Sequence, residues 1–156
     1  LLKNSKKFEN LQIWRPYNLV GIDHKNLSDH FHNLLFKKIF IQKKINHIFF
    51  GSKNDERGYS DVDNFIKEVL TQSNKNISFI KNYGNRTSIK MIEIIKIFND
   101  EFCKIRGNYF QARFLKNKAN KNIINNKSKN SIFVKDNNKI LFKKYLRKMI
   151  KLHKIK

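Results

Sequence analysis

The alternation of apolar and polar residues along the chain is clearest between residues 45 and 82. Two short apolar runs, 45–50 and 77–81, are separated by a polar turn and a helical pattern. Ser60 precedes the helical pattern as its expected N-cap. One face of that helix carries an apolar residue at every third or fourth position: Val62, Phe65, Ile66, Val69 and Leu70. Because a helix that connects two neighbouring strands normally makes them parallel, this stretch predicts a βαβ unit.

Shorter patterns flank this unit. A strand is predicted around Leu11, Ile13 and Trp14, and a helix is predicted to begin near Ser28. Between residues 88 and 105 the apolar spacing favours a helix, and the β-branched residues leave a strand as the alternative. Residues 116–130, rich in Lys and Asn, are predicted to be disordered or ordered only on a partner. A short strand at 131–134 and a basic amphipathic helix at 138–154 complete the pattern.

These elements predict an α/β fold, with a small mixed sheet and flanking helices around the βαβ core. A chain of 156 residues has room for one domain with a real core and an appended tail. We therefore expect an α/β domain over residues 1–87. Residues 88–156 are expected to form a basic C-terminal extension that is largely helical or extended.

The charge of the chain adds an expected partner. Its 34 Lys and Arg against 12 Asp and Glu give a formal net charge of +22. Residues 101–156 alone carry a net charge of +15. A chain this self-repulsive usually neutralises a polyanion, which favours RNA or DNA. An anionic membrane is the weaker alternative, because no run approaches the roughly eighteen apolar residues of a membrane span. The single cysteine, Cys103, is typical of a protein from a reducing compartment.

A search for enzyme chemistry finds little. A dinucleotide site needs several glycines between a strand and a helix, but only Gly51 and Gly58 stand at that turn, with bulky charged residues between them. Asp61 and Asp63 are conceivable metal ligands, and so is a set rich in histidine: His24, Asp29, His30 and His32. The spacing of this set is not that of a conventional metal site. The sequence therefore predicts no catalytic residue, no cofactor and no metal.

Arginines beside aromatic residues are more informative. Arg15 lies beside Trp14, Arg106 is close to Tyr109, and Arg113 precedes Phe114. A guanidinium and a ring side by side can engage a phosphate and a base together. The alternative is that the rings belong to the core and the arginines to a solvated face. The charge surplus favours RNA, with these residues as the expected contacts: Arg15, Arg106, Arg113, Lys116 and Lys118.

The order of parts also resembles a known family. Trp14, Gly21, Ser28 and Phe31, followed by the strand that ends at Gly51, resemble the pattern of universal small-subunit ribosomal protein eleven. The resemblance covers residues 11–86, about half of the chain. In that family a β-hairpin precedes the tryptophan, and too few residues stand before Trp14 to form it. The resemblance therefore implies an incomplete N-terminal hairpin, with a separate chain as a possible source of the missing strands.

The resemblance implies a structural, non-enzymatic protein of a ribosome. Its expected partners are small-subunit rRNA at the platform near the messenger exit and neighbouring small-subunit proteins, with no membrane. The A/T-biased composition favours a mitochondrial location over a plastid one. Two alternatives stay open: a lineage-specific organellar RNA-binding or assembly protein, and a small nucleotide-handling or nuclease-like α/β enzyme that uses Asp61 and Asp63. The further RNA contacts that the resemblance implies are Lys25, Asn26, Lys53, Arg57, Lys81 and Arg86.

Overall fold

The computed structural model of the chain describes residues 10–22, 30–49, 51–115 and 131–155. None of the helices in these ranges is long and apolar enough to cross a membrane. In chain order the elements are β1 (Gln12–Pro16), β2 (Leu19–Val20), α1 (Phe31–Phe36) with a π-helical continuation (Lys37–Ile41), β3 (Asn46–Phe49), β4 (Glu56–Arg57), β5 (Ser60–Asp61), α2 (Val62–Ser73), β6 (Phe79–Asn85), β7 (Ile89–Lys90), α3 (Met91–Arg106), β8 (Gln111–Phe114), β9 (Ser131–Val134) and α4 (Asn138–Leu152).

The strands form one three-stranded sheet and three smaller pairs. The sheet has the order β1–β6–β9, and all three strands run parallel. Strand β2 pairs in parallel with β5, β3 pairs in parallel with β8, and β4 pairs antiparallel with β7. The prediction of a small mixed α/β fold is thus confirmed in outline, including the short strand that became β9.

The predicted βαβ unit is wrong in its pairing. The two apolar runs that were expected to be neighbours became β3 and β6, and they lie in different sheets. Strand β1 pairs in parallel with β6, with Gln12 opposite Phe79. The expected incomplete N-terminal hairpin falls largely on residues 1–9, which lie outside the described residues. The pattern of a short apolar run shows that a strand forms, but it contains nothing that selects the partner strand.

Helix α3, Met91–Arg106, confirms the helix favoured for residues 88–105 over the alternative strand. The Glu93 side chain accepts a hydrogen bond from the Lys90 backbone amide at the start of the helix. At its end, Gly107 has φ 73°, a left-handed conformation that glycine adopts without steric cost. The apolar spacing places one face against the core, and the buried residues of that face are Ile94, Ile95, Ile97, Phe98 and Phe102.

Helix α4 confirms the predicted basic amphipathic helix. Asn137 is its N-cap, since the side-chain oxygen accepts hydrogen bonds from the amides of Lys139 and Ile140. Its apolar face packs against α1 and α3, and Phe142 and Leu146 are fully buried there. The hydrophobic core therefore joins the helices through their large side chains: Leu35, Phe36, Ile39, Phe40, Ile94, Phe98, Phe102, Phe142, Leu146 and Met149.

Helix α2 forms where the pattern places it but is less buried than predicted. Its N-cap is Asp61, whose carboxylate accepts a hydrogen bond from the Asp63 amide, and not Ser60. Phe65 contacts Trp14 and Tyr83, with ring centroids 6.0 and 5.0 Å away. Val62 and Val69 are half-buried, whereas Ile66 is 49% and Leu70 is 60% exposed.

Candidate functional site

A groove of about 780 Å³ opens at one side of the described fold. Three stretches of chain build it: the turn between β1 and β2, the first turn of α1, and the segment that joins β4 to β5. Parallel pairing of β2 with β5 brings the first and third stretches together. The lining residues are Pro16, Tyr17, Asn18, Leu19, His30, Phe31, His32, Leu34, Arg57 and Tyr59.

The chemistry of the groove wall suits an anionic ligand that also carries rings. Arg57 supplies a permanent positive charge in a planar fork that matches phosphate or carboxylate. Asn18 and His30 add hydrogen-bonding groups, and Tyr17 and Phe31 add aromatic surface. The ten lining residues include no carboxylate that would repel an anion. A concave site of this size with a few polar groups among apolar ones is typical of small-molecule binding.

Hydrogen bonds from β2 hold the segment that carries Arg57. The Asn18 side-chain amide donates to the Gly58 carbonyl at 3.2 Å. The Ser60 amide donates to the Asn18 carbonyl at 3.0 Å. Asn18 therefore does more than line the groove, because it fixes the backbone on either side of Tyr59.

A buried set of side-chain amides holds Tyr59 from behind. The Tyr59 amide donates to the side-chain oxygen of Asn138 at 3.1 Å, and the Tyr59 carbonyl accepts from the Asn85 side chain at 2.7 Å. Asn138 in turn donates to the Thr87 carbonyl at 3.0 Å. Asn85 and Asn138 are each 5% exposed, so these bonds form away from water. Residues from the end of β6 and the start of α4 thus fix the groove wall.

Gly58 is required for this close packing, and its replacement is a test of the wall. A Cβ at Gly58 would lie 2.9 Å from the Asn85 carbonyl oxygen and 3.1 Å from the Thr87 carbonyl oxygen.

We expect Gly58→Ala to lower the free energy of unfolding by about 1–3 kcal/mol, since backbone atoms must move. Urea denaturation measures the change. The control is Lys53→Ala, at an exposed position in the loop before β4, which should change the free energy of unfolding by less than about 0.5 kcal/mol. Unchanged stability of Gly58→Ala would contradict the packing.

Burial shapes the electrostatics of Tyr59 and His32. Burial raises the pKa of the Tyr59 hydroxyl, and the nearby Arg57 guanidinium opposes that rise. The Tyr59 hydroxyl has no hydrogen-bond partner of acceptable geometry among the described residues. Burial also lowers the pKa of His32 to about 4, with a smaller contribution from His30, so the His32 imidazole is neutral at pH 7.

The predicted site residues lie on many different elements. Arg57 lines the groove. The other predicted RNA-binding residues that the structure describes lie outside the groove: Arg15 in β1, Lys53 in the loop before β4, Lys81 in β6, Arg86 just after β6, Arg106 at the end of α3 and Arg113 in β8. Lys81 sits 4.4 Å from the centroid of the Phe79 ring. Lys25, Asn26, Lys116 and Lys118 lie outside the described residues, as does the predicted disordered segment 116–130.

The sequence pattern missed most of the groove. Arg15 was expected to contact RNA, although Arg15 itself does not line the groove, and His30 was considered only as a conceivable metal ligand. Tyr59 had no role, because a single tyrosine in a polar segment has no distinguishing spacing. A turn rich in Pro, Tyr and Asn after a strand was the one available signal.

Asp61 and Asp63, at the start of α2, form ion pairs with lysines of α4. Asp61 pairs with Lys144 at 2.8 Å, and Asp63 pairs with Lys148 at 3.6 Å. Within the described ranges, no three His, Cys, Asp or Glu side chains come together as a metal site would require. The proposed nuclease-like use of Asp61 and Asp63 therefore has no geometric support among these residues.

Comparisons with known proteins identify the fold. No family model and no curated protein matches the chain. Solved structures of enzymes do match. The UDP-glucuronic acid 4-epimerase of Bacillus cereus in complex with NAD is 22% identical, with a TM-score of 0.51 over 70% of this chain and 34% of the epimerase. MoeE5 in complex with UDP-glucose and NAD is 9% identical, with a TM-score of 0.59 over 89% of this chain and 48% of MoeE5.

A third solved structure matches with a similarly low sequence identity and a similar TM-score. A UDP-galactose 4-epimerase is 12% identical, with a TM-score of 0.59 over 96% of this chain and 48% of the epimerase. The chain thus spans about a third to a half of the length of the structures it resembles. At these identities the likeness establishes a shared fold.

This fold overturns the ribosomal interpretation. The matching solved structures include epimerases of UDP-sugars and MoeE5 in complex with UDP-glucose and NAD, and no family model supports ribosomal protein eleven. The predictions of a non-enzymatic role and of rRNA and ribosomal-protein partners are therefore wrong. The alternative of an organellar RNA-binding protein has no support from the fold either. The resemblance rested on the order of single residues, such as Trp14, Gly21 and Phe31. Such residues recur in α/β proteins because turns and cores need them.

The described residues do not fit a nicotinamide dinucleotide. Its diphosphate is usually held by a glycine-rich turn between a strand and a helix. Here α2 follows β5, and the turn before β5 carries Glu56, Arg57 and Tyr59 around Gly58. That glycine is buried, and carbonyl oxygens of the protein already occupy the space beside it. The groove is therefore the better candidate for ligand binding in this chain.

Proposed function

We propose that the groove binds a nucleotide sugar, and that this chain supplies the sugar-nucleotide site of an epimerase-like or dehydratase-like enzyme. The observation that carries the proposal is the groove itself. It combines Arg57 with aromatic and amide side chains and has no carboxylate. Several proteins that share the fold were solved with UDP-sugars or NAD bound, as in MoeE5 with UDP-glucose and NAD.

The parts of the groove match the parts of such a ligand. The diphosphate carries two negative charges, which a guanidinium binds through paired hydrogen bonds. The base and the sugar present flat or weakly polar faces, which pack well on aromatic rings. The Asn18 side-chain amide donates one hydrogen to the Gly58 carbonyl. Its second hydrogen can be donated to a phosphate oxygen or a sugar hydroxyl, and its oxygen can accept from a sugar hydroxyl. A redox step at the sugar needs a nicotinamide, for which the described residues offer no cradle, so the proposal concerns binding.

Replacing Arg57 tests the proposal. We expect the chain to bind UDP-glucose and Arg57→Ala to bind it roughly 10–100-fold more weakly, since a hydrogen bond to a charged group contributes about 1.5–3 kcal/mol. Isothermal titration calorimetry measures both affinities. Arg113→Ala is the matched control, because it removes the same charge from an exposed position in β8.

The control separates specific binding from a general charge effect. If the two arginine variants lose affinity equally, the attraction comes from the net charge of the chain and not from the groove. If the unchanged protein binds neither UDP-glucose nor UDP, the proposed function is wrong.

A further inference from the structure

We propose that the ring of Tyr17 is a stacking platform for a ring of the ligand, either its base or its sugar. This rests on the proposed function and adds a residue that determines which ligands fit. The site it describes has an anion-binding end at Arg57 and a ring-binding surface at Tyr17. Both residues line the same groove.

Tyr17 is held in place from behind by strand β6. Its amide donates to the Tyr83 carbonyl at 2.8 Å, which continues the pairing of β1 with β6 past the end of β1. Its ring then lies against Gly84. A Cβ built on Gly84 would lie 2.6 Å from Cδ2 of Tyr17 and 3.5 Å from Cε2.

Gly84 is therefore needed for space and not for backbone conformation. Gly84 is buried and its φ is not in the left-handed region, so an alanine could adopt the backbone angles. What an alanine could not do is share the volume that the Tyr17 ring occupies. The absence of a side chain at Gly84 sets how far the ring recedes from the groove, and so sets the width of the groove at this point.

The ring remains available to a ligand. Tyr17 is 37% exposed, although β6 covers part of it. A ring that is already fixed in the free protein loses little conformational entropy when a ligand stacks on it. A base or a sugar can stack on such a ring whatever its substituents, whereas an anionic phosphate would gain little from the negative face of the ring.

The test uses three probes that share the phosphates and differ in their rings: inorganic pyrophosphate, UDP and UDP-glucose. Tyr17→Ala removes the platform, and Tyr17→Phe keeps it. We expect Tyr17→Ala to weaken UDP-glucose binding by about tenfold or more while pyrophosphate binding stays unchanged. Tyr17→Phe should bind all three probes like the unchanged protein. Arg57→Ala should weaken all three.

Each result has a defined meaning. If Tyr17→Ala loses affinity for both UDP and UDP-glucose, the ring that stacks on Tyr17 is the base. If it loses affinity for UDP-glucose alone, the stacked ring is the sugar. Either result supports the proposal. An equal loss for pyrophosphate, or no loss for any probe, overturns it. If Arg57→Ala weakens the binding of pyrophosphate and UDP-glucose but Tyr17→Ala does not, the proposed function stands and the proposed role of Tyr17 is wrong. If the unchanged protein binds none of the three probes, both the proposed function and the proposed role of Tyr17 are wrong.

A double-mutant cycle with Gly84 tests the geometry. Gly84→Ala should push the Tyr17 ring into the groove and weaken UDP-glucose binding. In the Tyr17→Ala background the same change should have little further effect, because no ring remains to be displaced. Thermal denaturation of each variant shows that it is folded at the assay temperature. Fully additive losses in folded variants would overturn the role of Gly84.

Discussion

Replacing Phe142 by alanine is expected to lower the free energy of unfolding by about 3–5 kcal/mol, because a large buried ring is lost and a cavity remains. Phe142 has 0% exposure in α4 and contacts side chains from three other parts of the chain. Its ring centroid lies 5.0 Å from that of Tyr59, 6.4 Å from that of His32 and 6.5 Å from that of Phe98. Urea denaturation followed by circular dichroism measures the loss.

The matched control is Ile140→Ala, two residues earlier in the same helix. Ile140 is 64% exposed, so its truncation should change the free energy of unfolding by less than about 0.5 kcal/mol. The experiment also addresses the expected boundary at residue 87. If residues 88–156 were an independent extension, Phe142→Ala would destabilise one of two separate transitions. A single transition that shifts as a whole is the result we expect from a shared core.

Lowering the pH from 6.5 to 4 is expected to remove about 3 kcal/mol of stability through His32, at 1.36 kcal/mol for each unit by which its pKa is depressed. Burial, and to a smaller extent His30, lowers the pKa of His32 from 6.5 to about 4 in the folded chain. Between these values the unfolded chain binds a proton that the folded chain does not. Stability therefore rises with pH across this window and is lost as the pH falls towards 4.

His32→Phe isolates this contribution. The replacement keeps an aromatic ring beside Tyr145, whose centroid is 5.1 Å from that of His32, and removes the titrating group. The free energy of unfolding, measured by urea denaturation at several pH values between 4 and 6.5, should vary less with pH in the variant than in the unchanged protein. Equal slopes in the two proteins would show that His32 does not titrate as its burial implies.

The helices were the part of the fold that the sequence predicted well. The predicted apolar positions Met91, Ile92, Ile95, Phe98 and Phe102 recur at helical spacing, and α3 buries three of these five. The basic amphipathic pattern predicted a helix over residues 138–154, and α4 spans Asn138–Leu152. Helical hydrogen bonds join residues four apart, so the information that specifies a helix lies within it. The exposure of Ile66, which lies on the predicted apolar face of α2, could not be read from the spacing, since burial depends on what packs above a face.

The candidate site was much harder to predict. Arg57 was among the residues expected to bind an anion, but the expected anion was RNA. Asn18, Tyr59 and Asn138 come from distant parts of the chain and meet only through β2–β5 pairing and the packing of α4. Their hydrogen bonds join residues 40 and 79 positions apart. No local spacing records such a contact.

The sequence by itself determined where the helices form, where α3 ends at Gly107, and that the chain is strongly basic. Only the tertiary structure decided that β6 lies between β1 and β9, that β3 pairs with β8, and that one arginine among many stands in a groove. The physical reason is the range of the interactions. A helix satisfies its backbone groups locally, whereas a strand needs hydrogen-bond partners from elsewhere, and those partners decide which side chains come together.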